Sequence, residues 1–317
     1  MTLTLTKPLN AAVIGTGYLG RFHAQKYAAA IDVDLKYVID LDLAAATAVA
    51  EETGASATAD YQSVLGEVDI VSIVVPTTLH YMVAKQCLLA GVHCLVEKPI
   101  TVTEAEADEL IAIAKQRNLC LQIGHLEQFN PVLRALELTE APRFIEAYRL
   151  APFNPRANDV SVVLDLMIHD IEIVQSLVNS PLIQVDASGA SVITSGIDIA
   201  NARLKFANQS VANLTASRIS QKSERKMRLF GQNHYYSLDY QDRRLSHHWV
   251  DGGASEVQGP SIDSNSTQFE QADALKQEIL DFIDCVRHGR PPIVSGEQGR
   301  DALSIALKIM QQIEDPS

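Results

Sequence analysis

The feature that most constrains the fold is a glycine-rich turn between an apolar run and a stretch of helix-forming residues. Residues 11–14 are apolar, residues 15–20 have the spacing G-x-G-x-x-G, and helix formers continue to residue 30. Between a strand and a helix, such glycines permit a tight turn and let a diphosphate approach the backbone at the positive end of the helix. The stretch predicts a dinucleotide-binding turn, with cofactor contacts from Gly15, Thr16, Gly17, Tyr18, Leu19 and Gly20.

An acidic residue follows the second apolar run, where a ribose-binding carboxylate belongs. Residues 35–39 have the pattern of a strand, and Asp40 lies about 20 residues beyond the glycines. A carboxylate there accepts hydrogen bonds from ribose hydroxyls and repels a 2′-phosphate. Since Leu41 follows and no Arg or Ser stands beside it, we expect NAD rather than NADP. Asp42 is the competing candidate, with a simpler interpretation as a helix-start residue.

Strand and helix patterns continue to alternate up to residue 124. The further segments lie at residues 68–75, 78–90, 92–96, 103–116 and 119–123. Alternation at this spacing predicts an α/β fold with a doubly wound parallel sheet. We expect residues 1–124 to form an NAD-binding Rossmann domain.

The pattern changes after residue 124. Helical segments are predicted at 127–138, interrupted by Pro131, and at 162–178, followed by short alternating segments between 182 and 250. The alternation predicts an antiparallel sheet with one covered face, whereas residues 251–267 are rich in Gly, Ser and Asp and predict a mobile loop. Two helices close the chain, and we expect the last to pack back on the first domain. Residues 125–317 are therefore predicted to form a separate α+β domain.

An acid, a base and a proline stand together at the end of the apolar run 92–96. Pro99 lacks an N–H and has a fixed φ, so the strand must end there. The carboxyl ends of parallel strands form the ligand crevice, and we expect Lys98 to point into it. A partly desolvated lysine beside Glu97 can polarise an oxygen or take part in proton transfer. A strand-end ion pair is the structural alternative.

A carboxylate and an imidazole stand four residues apart in the predicted helix 162–178. Asp165 and His169 would share one face of that helix, and the residues between them are apolar. Such a carboxylate orients the imidazole and makes it more basic, as a general base requires. The alternatives are a core His–Asp pair and a metal site. No third ligand stands at a matching spacing, so no metal is expected.

Together these residues suit hydride transfer from an alcohol. The reaction needs a base near the hydroxyl and a cation near the developing oxyanion. His169 and Lys98 would fill those roles if the second domain folds over the nicotinamide.

Composition limits the partners and the compartment. A formal net charge of −13 argues against a nucleic-acid partner, and no apolar run approaches the roughly 18–20 residues that span a membrane. Residues 1–8 lack the features of a secretory signal, and the four cysteines show no metal or redox spacing. We expect a cytoplasmic protein that binds neither nucleic acid nor membrane.

In this order, the motifs resemble those of the Gfo/Idh/MocA oxidoreductases over nearly the whole chain. The matching pieces are residues 15–20, Pro76-Thr77 with His80, Glu97-Lys98-Pro99, the Asp165/His169 helix, and residues 289–292 before 299–300. The resemblance implies an NAD-binding Rossmann domain and an open, mostly antiparallel α/β domain. The second domain would carry substrate and form a homodimer or homotetramer through its sheet. Lys98 and His169 would be catalytic, and further cofactor contacts would come from Pro76, Thr77, His80 near the nicotinamide, Glu97 and Lys98 itself.

Residues 124–131 and 151–156 are similar to a narrower branch of that family, the UDP-N-acetylglucosamine 3-dehydrogenases. This branch makes a 3-keto sugar nucleotide for amination on the way to amide-linked lipid A. The similarity implies substrate contacts from Lys98, His125, Glu127, Asn154, Arg156, Asp165 and His169. Arg156 and the loop around Asn154 are suited to bind a diphosphate or sugar hydroxyls. Gln128 stands where the branch has an arginine, a change that affects substrate binding only if that arginine contacts substrate rather than packing at the surface.

Two other functions remain as alternatives. One is a dehydrogenase of the same fold that acts on a free sugar or cyclitol. The other is a non-catalytic NAD-binding regulator, although such a protein has no need for a strand-end lysine together with a buried Asp/His pair.

Overall fold

The computed structural model describes residues 7–154, 160–250 and 261–315. Their internal contacts divide the chain into two compact units. The first unit comprises Met1–Leu126 and Asp273–Asp301, and the second comprises Glu127–Ala272 and Ala302–Ser317. Each unit therefore contains two separate segments of the chain.

The described residues form fourteen β-strands and eight α-helices. The strands are β1 (Leu9–Ile14), β2 (Val33–Ile39), β3 (Ser56–Thr58), β4 (Ile70–Ile73), β5 (His93–Glu97), β6 (Leu121–Gly124), β7 (Phe144–Leu150), β8 (Leu182–Ala190), β9 (Ile199–Phe206), β10 (Val211–Ser217), β11 (Glu224–Phe230), β12 (His234–Asp239), β13 (Arg244–Val250) and β14 (Ile262–Gln268). The α-helices are α1 (Tyr18–Ala28), α2 (Leu43–Thr53), α3 (Thr77–Leu89), α4 (Glu104–Arg117), α5 (Pro131–Arg134), α6 (Ile168–Val178), α7 (Ala274–His288) and α8 (Gly296–Glu314).

The first unit is built on a parallel sheet. Within the described ranges it has six strands in the order β3-β2-β1-β4-β5-β6, all paired in parallel. The strand order reverses beside β1, as it does in a doubly wound sheet. Strand β4 is buried at every position, as expected of a strand covered on both faces. The predicted parallel α/β fold is confirmed.

Helix α7 contributes to the core of the first unit although it comes from late in the chain. Its inward residues Leu275, Ile279, Phe282 and Ile283 recur at helical spacing and form one face. They join a cluster that includes Val13 and other residues from the sheet and from α1. The core therefore depends on residues far apart in the sequence.

The second unit is built on a sheet of eight strands among the described residues. Their order is β14-β13-β12-β11-β7-β10-β9-β8, and every pair is antiparallel except β7 with β10. Strand β9 alternates buried and exposed residues, because one face of the sheet is covered. Residues of α6 and of α8 beyond Asp301 belong to that core. The predicted mostly antiparallel sheet is confirmed. The sequence predicts that the last helix packs on the first domain, whereas the contacts divide α8 at Asp301 and assign its longer part to the second unit.

Two local predictions are wrong. Residues 262–267 are predicted as loop but belong to β14, which pairs with β13; its exposed polar residues give no hydrophobic period. Residues 251–260 lie outside the described part of the chain.

The helix predicted over 127–138 is a 3₁₀ turn, Leu126–Phe129, followed by the short α5. Pro131 begins α5 instead of interrupting a helix, because the first helical position needs no N–H donor.

None of the helices in the described ranges combines the length and the apolar character needed to cross a bilayer.

Candidate active site

The turn after β1 packs so closely that two of its glycines have no room for a side chain. Gly15 has φ +96°, and a Cβ there would lie 2.4 Å from the carbonyl oxygen of Val74. A Cβ on Gly20 would lie 1.9 Å from the carbonyl oxygen of Gly15. At Gly17 a Cβ would meet no described heavy atom within 4 Å. The backbone is thus open at the start of α1, where N–H groups and the helix dipole favour a phosphate.

Asp40 is tied to this turn from the end of β2. Its Oδ2 accepts hydrogen bonds from N and Oγ1 of Thr16 at 2.8 and 3.0 Å, and its Oδ1 accepts one from N of Asp42 at 3.0 Å. Burial alone would raise the pKa of Asp40, but these hydrogen bonds outweigh it and hold the pKa below its usual value. The ionised carboxylate is therefore fixed beside the glycine turn, an arrangement that fits the ribose of NAD.

Asp42, the competing candidate, has a local role. Its carboxylate accepts hydrogen bonds from the backbone N–H groups of Ala44 and Ala45. Asp42 thus caps α2, which confirms its interpretation as a helix-start residue.

The other predicted contacts of the glycine turn lie at the start of α1. Tyr18 is the first residue of that helix, is 79% exposed, and meets Phe22 edge-to-face at 5.1 Å between ring centroids. Leu19 follows it and packs partly against the apolar core. The exposed Tyr18 ring is accessible to a ligand, whereas Leu19 packs against the core of the first unit.

Pro76, Thr77 and His80 lie at the start of α3, after β4. Pro76 stands at the N-cap position without a capping side-chain hydrogen bond, and Thr77 is the first residue of the helix. His80 is buried, with Nδ1 2.8 Å from the carbonyl oxygen of Pro99 and Nε2 2.8 Å from that of Val75. Burial lowers the pKa of His80 despite these contacts. His80 holds the backbone next to Lys98, and its position near the nicotinamide stays a prediction.

Lys98 and His125 follow the neighbouring strands β5 and β6. Lys98 is half-buried and forms a cis peptide bond with Pro99, and His125 is 1% exposed. Burial, and after it the charge of Lys98, lowers the pKa of His125 to about 3, so its imidazole is neutral. The structure brings these two predicted site residues together at the carboxyl edge of the parallel sheet, where ligands bind in such folds.

Glu97 points into a buried polar chain that the sequence did not predict. Its Oε1 lies 3.1 Å from Nε2 of His23, whose Nδ1 lies 3.1 Å from Oγ of Ser72. Ser72 is in turn 3.0 Å from Oη of Tyr27. The signal available was weak: a serine within the apolar β4 run and a histidine in α1. Glu97 is therefore held from within the first unit, directly before Lys98.

Asp165 and His169 lie where the helix of the second unit changes its winding. The predicted single helix begins with a π-helical turn, Val163–Met167, which contains Asp165, and His169 lies in the first turn of α6. The prediction of one regular α-helix is wrong here, although the segment is helical. Such π turns occur often at functional sites. The pairing of Asp165 with His169 stays a prediction.

The residue after His169 anchors a buried ion cluster. Arg149 donates from Nε and Nη2 to the two oxygens of Asp170 at 3.0 and 2.8 Å, and from Nη1 to Glu127 at 2.9 Å. Arg225 also reaches Glu127, at 3.4 Å. The Glu127 carboxylate is thus engaged by two arginines of its own unit, and its predicted contact with substrate stays a prediction. Arg149 lies four residues after Ile145 in β7 and therefore on the same buried face of that strand. This alternation is visible in the sequence and could have identified Arg149 as a buried residue.

Gln128 is buried, not at the surface. Its Nε2 donates to both carboxylate oxygens of Glu172, at 3.0 and 2.8 Å, and lies 3.1 Å from Oγ of Ser176. Burial raises the pKa of Glu172 to about 8, an effect only partly offset by this hydrogen bond. Gln128 therefore partners a neutral acid inside the second unit.

The remaining two predicted substrate contacts, Asn154 and Arg156, follow β7 in the sequence. Asn154 is exposed. Arg156 lies outside the described residues.

Comparisons with known proteins agree with this fold. Residues 9–125 match the Gfo/Idh/MocA oxidoreductase family, NAD-binding Rossmann fold, and residues 154–316 match its C-terminal alpha/beta domain. UDP-N-acetylglucosamine 3-dehydrogenase from Acidithiobacillus ferrooxidans is 41% identical over 96% of this chain and 97% of its own. Its solved structure superposes with a TM-score of 0.91 over 98% of this chain and 99% of that one, at 39% identity.

A more distant relative is scyllo-inositol 2-dehydrogenase (NAD⁺) from Bacillus subtilis. It is 25% identical over 90% of this chain and 89% of its own. The matches cover both units, and the Rossmann match includes the glycine turn, Asp40 and Lys98. The chain belongs to the Gfo/Idh/MocA family of NAD-binding oxidoreductases.

Proposed function

We propose that this protein is an NAD-dependent dehydrogenase that oxidises the C3 hydroxyl of UDP-N-acetylglucosamine to the 3-keto sugar nucleotide. The observation that carries the proposal is the 41% identity, over 96% of the chain, to an enzyme named for that reaction. Identity to the inositol dehydrogenase is only 25%. The difference favours the nucleotide sugar over a free cyclitol.

The residues of the first unit fit NAD. The open backbone at Gly17 accepts the diphosphate at the start of α1, and the ionised Asp40 accepts hydrogen bonds from ribose hydroxyls. The negative charge of Asp40 disfavours a 2′-phosphate at the same place. When bound, NAD supplies the hydride acceptor of the reaction.

The catalytic roles follow from the chemistry of an alcohol losing a proton and a hydride. His169 takes the hydroxyl proton as general base, and Asp165 orients its imidazole. Lys98 stabilises negative charge on the oxygen as it becomes a ketone. Neutral His125, close to Lys98, lines the same edge of the sheet without adding a competing positive charge.

Assembly and pathway complete the proposal. We assign the protein to the cytoplasm, which its four free cysteines support. The eight-stranded sheet would form a homodimer or homotetramer, and the 3-keto product would be aminated for amide-linked lipid A.

The test is NADH absorbance after mixing the purified protein with NAD and UDP-N-acetylglucosamine, with an amine present to trap the ketone. A rise that is absent with UDP-glucose supports the proposal. A rise with myo-inositol alone would favour a cyclitol dehydrogenase. Tight NAD binding without NADH from any of these substrates would favour a non-catalytic regulator.

A further inference from the structure

A buried carboxyl group in α7 has no donor for either of its oxygens. Glu278 is fully buried, and among the described residues no hydrogen-bond partner reaches Oε1 or Oε2. Its backbone oxygen, by contrast, accepts a hydrogen bond from Nε2 of Gln122 at 3.1 Å. A charged carboxylate is strongly disfavoured in such a place.

The Glu278 carboxyl group faces Glu97 and His23. One ligand atom from each of the three side chains lies within 4.8 Å of the other two. The two nearby charges that act on Glu278 are those of Glu97 and Asp281, and both are negative. Two carboxyl groups so close together in a buried setting cannot both ionise at low cost.

The placement of donors favours Glu97 as the ionised member of the two. The backbone N of Lys98 donates to its Oε2 at 3.3 Å and Nε2 of His23 lies 3.1 Å from its Oε1, whereas no donor among the described residues reaches Glu278. An ionised Glu97 can only accept, and in the arrangement that fits it Nε2 of His23 donates to Glu97 while Nδ1 accepts from Ser72. Ser72 then accepts from the hydroxyl of Tyr27. In this arrangement every donor from His23 to Tyr27 has an acceptor. Because the two carboxyl groups cannot both ionise at low cost, Glu278 is the one that keeps its proton.

We propose that Glu278 is a neutral carboxylic acid whose O–H is directed at the Glu97 carboxylate, and that it is a positioning residue for Glu97. The gap of up to 4.8 Å is one that a single bridging water spans. Burial first, and then the charges of Glu97 and Asp281, raise the pKa of Glu278 well above its usual value. The inference rests on the proposed function and on the predicted contact of Glu97 with NAD.

A cation site is the competing interpretation of the same three side chains. One histidine and two carboxylates are also suitable ligands for a divalent metal ion. A metal ligand must be ionised, whereas the proposed donor must be neutral. The two interpretations therefore differ in what they predict for Glu278→Gln.

The first experiment is calorimetric titration of NAD into the full-length protein and two variants. Glu278→Gln keeps the shape and a donor of the neutral acid, whereas Glu278→Leu removes the donor at similar volume. We expect Glu278→Gln to bind NAD within about twofold of wild type, and Glu278→Leu about tenfold more weakly, the loss of one hydrogen bond to a charged group. In steady-state kinetics the Leu variant should raise the KM for NAD more than it lowers kcat.

The second experiment is infrared difference spectroscopy at neutral pH. We expect a carboxylic-acid C=O band in wild type that is missing in Glu278→Gln. Glu172→Gln is the matched control, because Glu172 is another buried neutral acid but lies in the other unit. It should remove a different band and leave NAD affinity unchanged.

Several results would overturn the proposal. These are an NAD affinity in Glu278→Gln as weak as in Glu278→Leu, wild-type affinity in Glu278→Leu, no acid band assigned to Glu278, or a stoichiometric metal that Glu278→Gln loses. If the Leu variant does not fold, the Gln variant and the spectrum still decide. Neither readout needs a sugar substrate, so failure of the proposed function would be recognised separately.

Discussion

Gly124 leaves the space that the carboxylate of Glu97 occupies. A Cβ at Gly124 would lie 2.9 Å from both Cδ and Oε1 of Glu97. These atoms are the end of a flexible side chain, so Gly124→Ala should displace the carboxylate at a modest cost, about 1 kcal/mol of stability. We expect NAD affinity to fall roughly tenfold as Glu97 leaves its position.

The control for this substitution is Gly66→Ala. A Cβ at Gly66 would meet no described atom within 4 Å, so both thermal stability and NAD affinity should stay at wild-type values. Calorimetric NAD titration and thermal melts separate the two effects. Wild-type NAD affinity in Gly124→Ala would show that the position of Glu97 does not matter for the cofactor.

Gly17→Ala should weaken NAD binding at the glycine turn without affecting the folding of that turn. The protein has room for a Cβ there, but that Cβ would extend into the space where a diphosphate approaches the backbone. We expect an unchanged Tm and an NAD affinity at least about tenfold weaker. Gly20→Ala should fail to fold, because its Cβ would lie 1.9 Å from a backbone oxygen. Equal NAD affinity for wild type and Gly17→Ala would show that the diphosphate does not bind at Gly17.

Lys98→Met should remove catalysis while leaving the cofactor site intact. We expect kcat to fall by about 10²–10⁴ and NAD affinity to change little, because the lysine acts on the reacting oxygen. His169→Gln should lower kcat similarly. Lys115→Met is the matched control, since the Lys115 side chain is 68% exposed and pairs only with Glu297 among the contacts described. Turnover at the wild-type rate in Lys98→Met would remove the lysine from the mechanism.

Glu172 should make the second unit less stable as the pH rises. Its pKa is raised from 4.5 to about 8 in the folded protein. Below pH 4.5 the Glu172 carboxyl group is protonated in both the folded and the unfolded protein. Between pH 4.5 and about 8 only the unfolded protein releases the proton, so the free energy of unfolding falls as the pH rises. Above about pH 8 both forms are ionised and the free energy of unfolding falls no further.

Glu172→Gln cannot ionise and should escape this loss. We expect its Tm to match that of wild type near pH 4.5 and to exceed it at pH 8. At pH 8 its free energy of unfolding should be greater than that of wild type by a few kcal/mol, to an order of magnitude. Thermal melts at both pH values measure the difference. Parallel curves for the two proteins would mean that Glu172 is ionised throughout.

Features set by neighbours in the sequence were predictable. The turn at Gly15, the carboxylate of Asp40 and the cap at Asp42 depend on steric or hydrogen-bonding rules that act over a short stretch or a known spacing. The apolar runs predicted the parallel strands for the same reason. The exposed polar strand β14 has no hydrophobic alternation, and only its pairing with β13 defines it.

Features set by packing were not predictable. His23 and Glu97 lie 74 positions apart and meet only in the folded sheet. Arg149 and Asp170 likewise come from a strand and a helix that no local pattern joins. The sequence pointed to Asp165 and His169 by spacing, but it gave no sign that the winding changes between them.

The position of α7 makes the first unit dependent on the order of synthesis. When a ribosome has released residues 1–126, the sheet is complete, but Leu275, Ile279 and Phe282 of its core have not been translated. The nascent chain must keep that apolar face uncovered while residues 127–272, the larger segment of the second unit, are made. A chain that stops before α7 would expose it permanently and be open to chaperones and proteases. The NAD-binding unit can therefore be completed only after translation has passed residues 127–272 of the second unit.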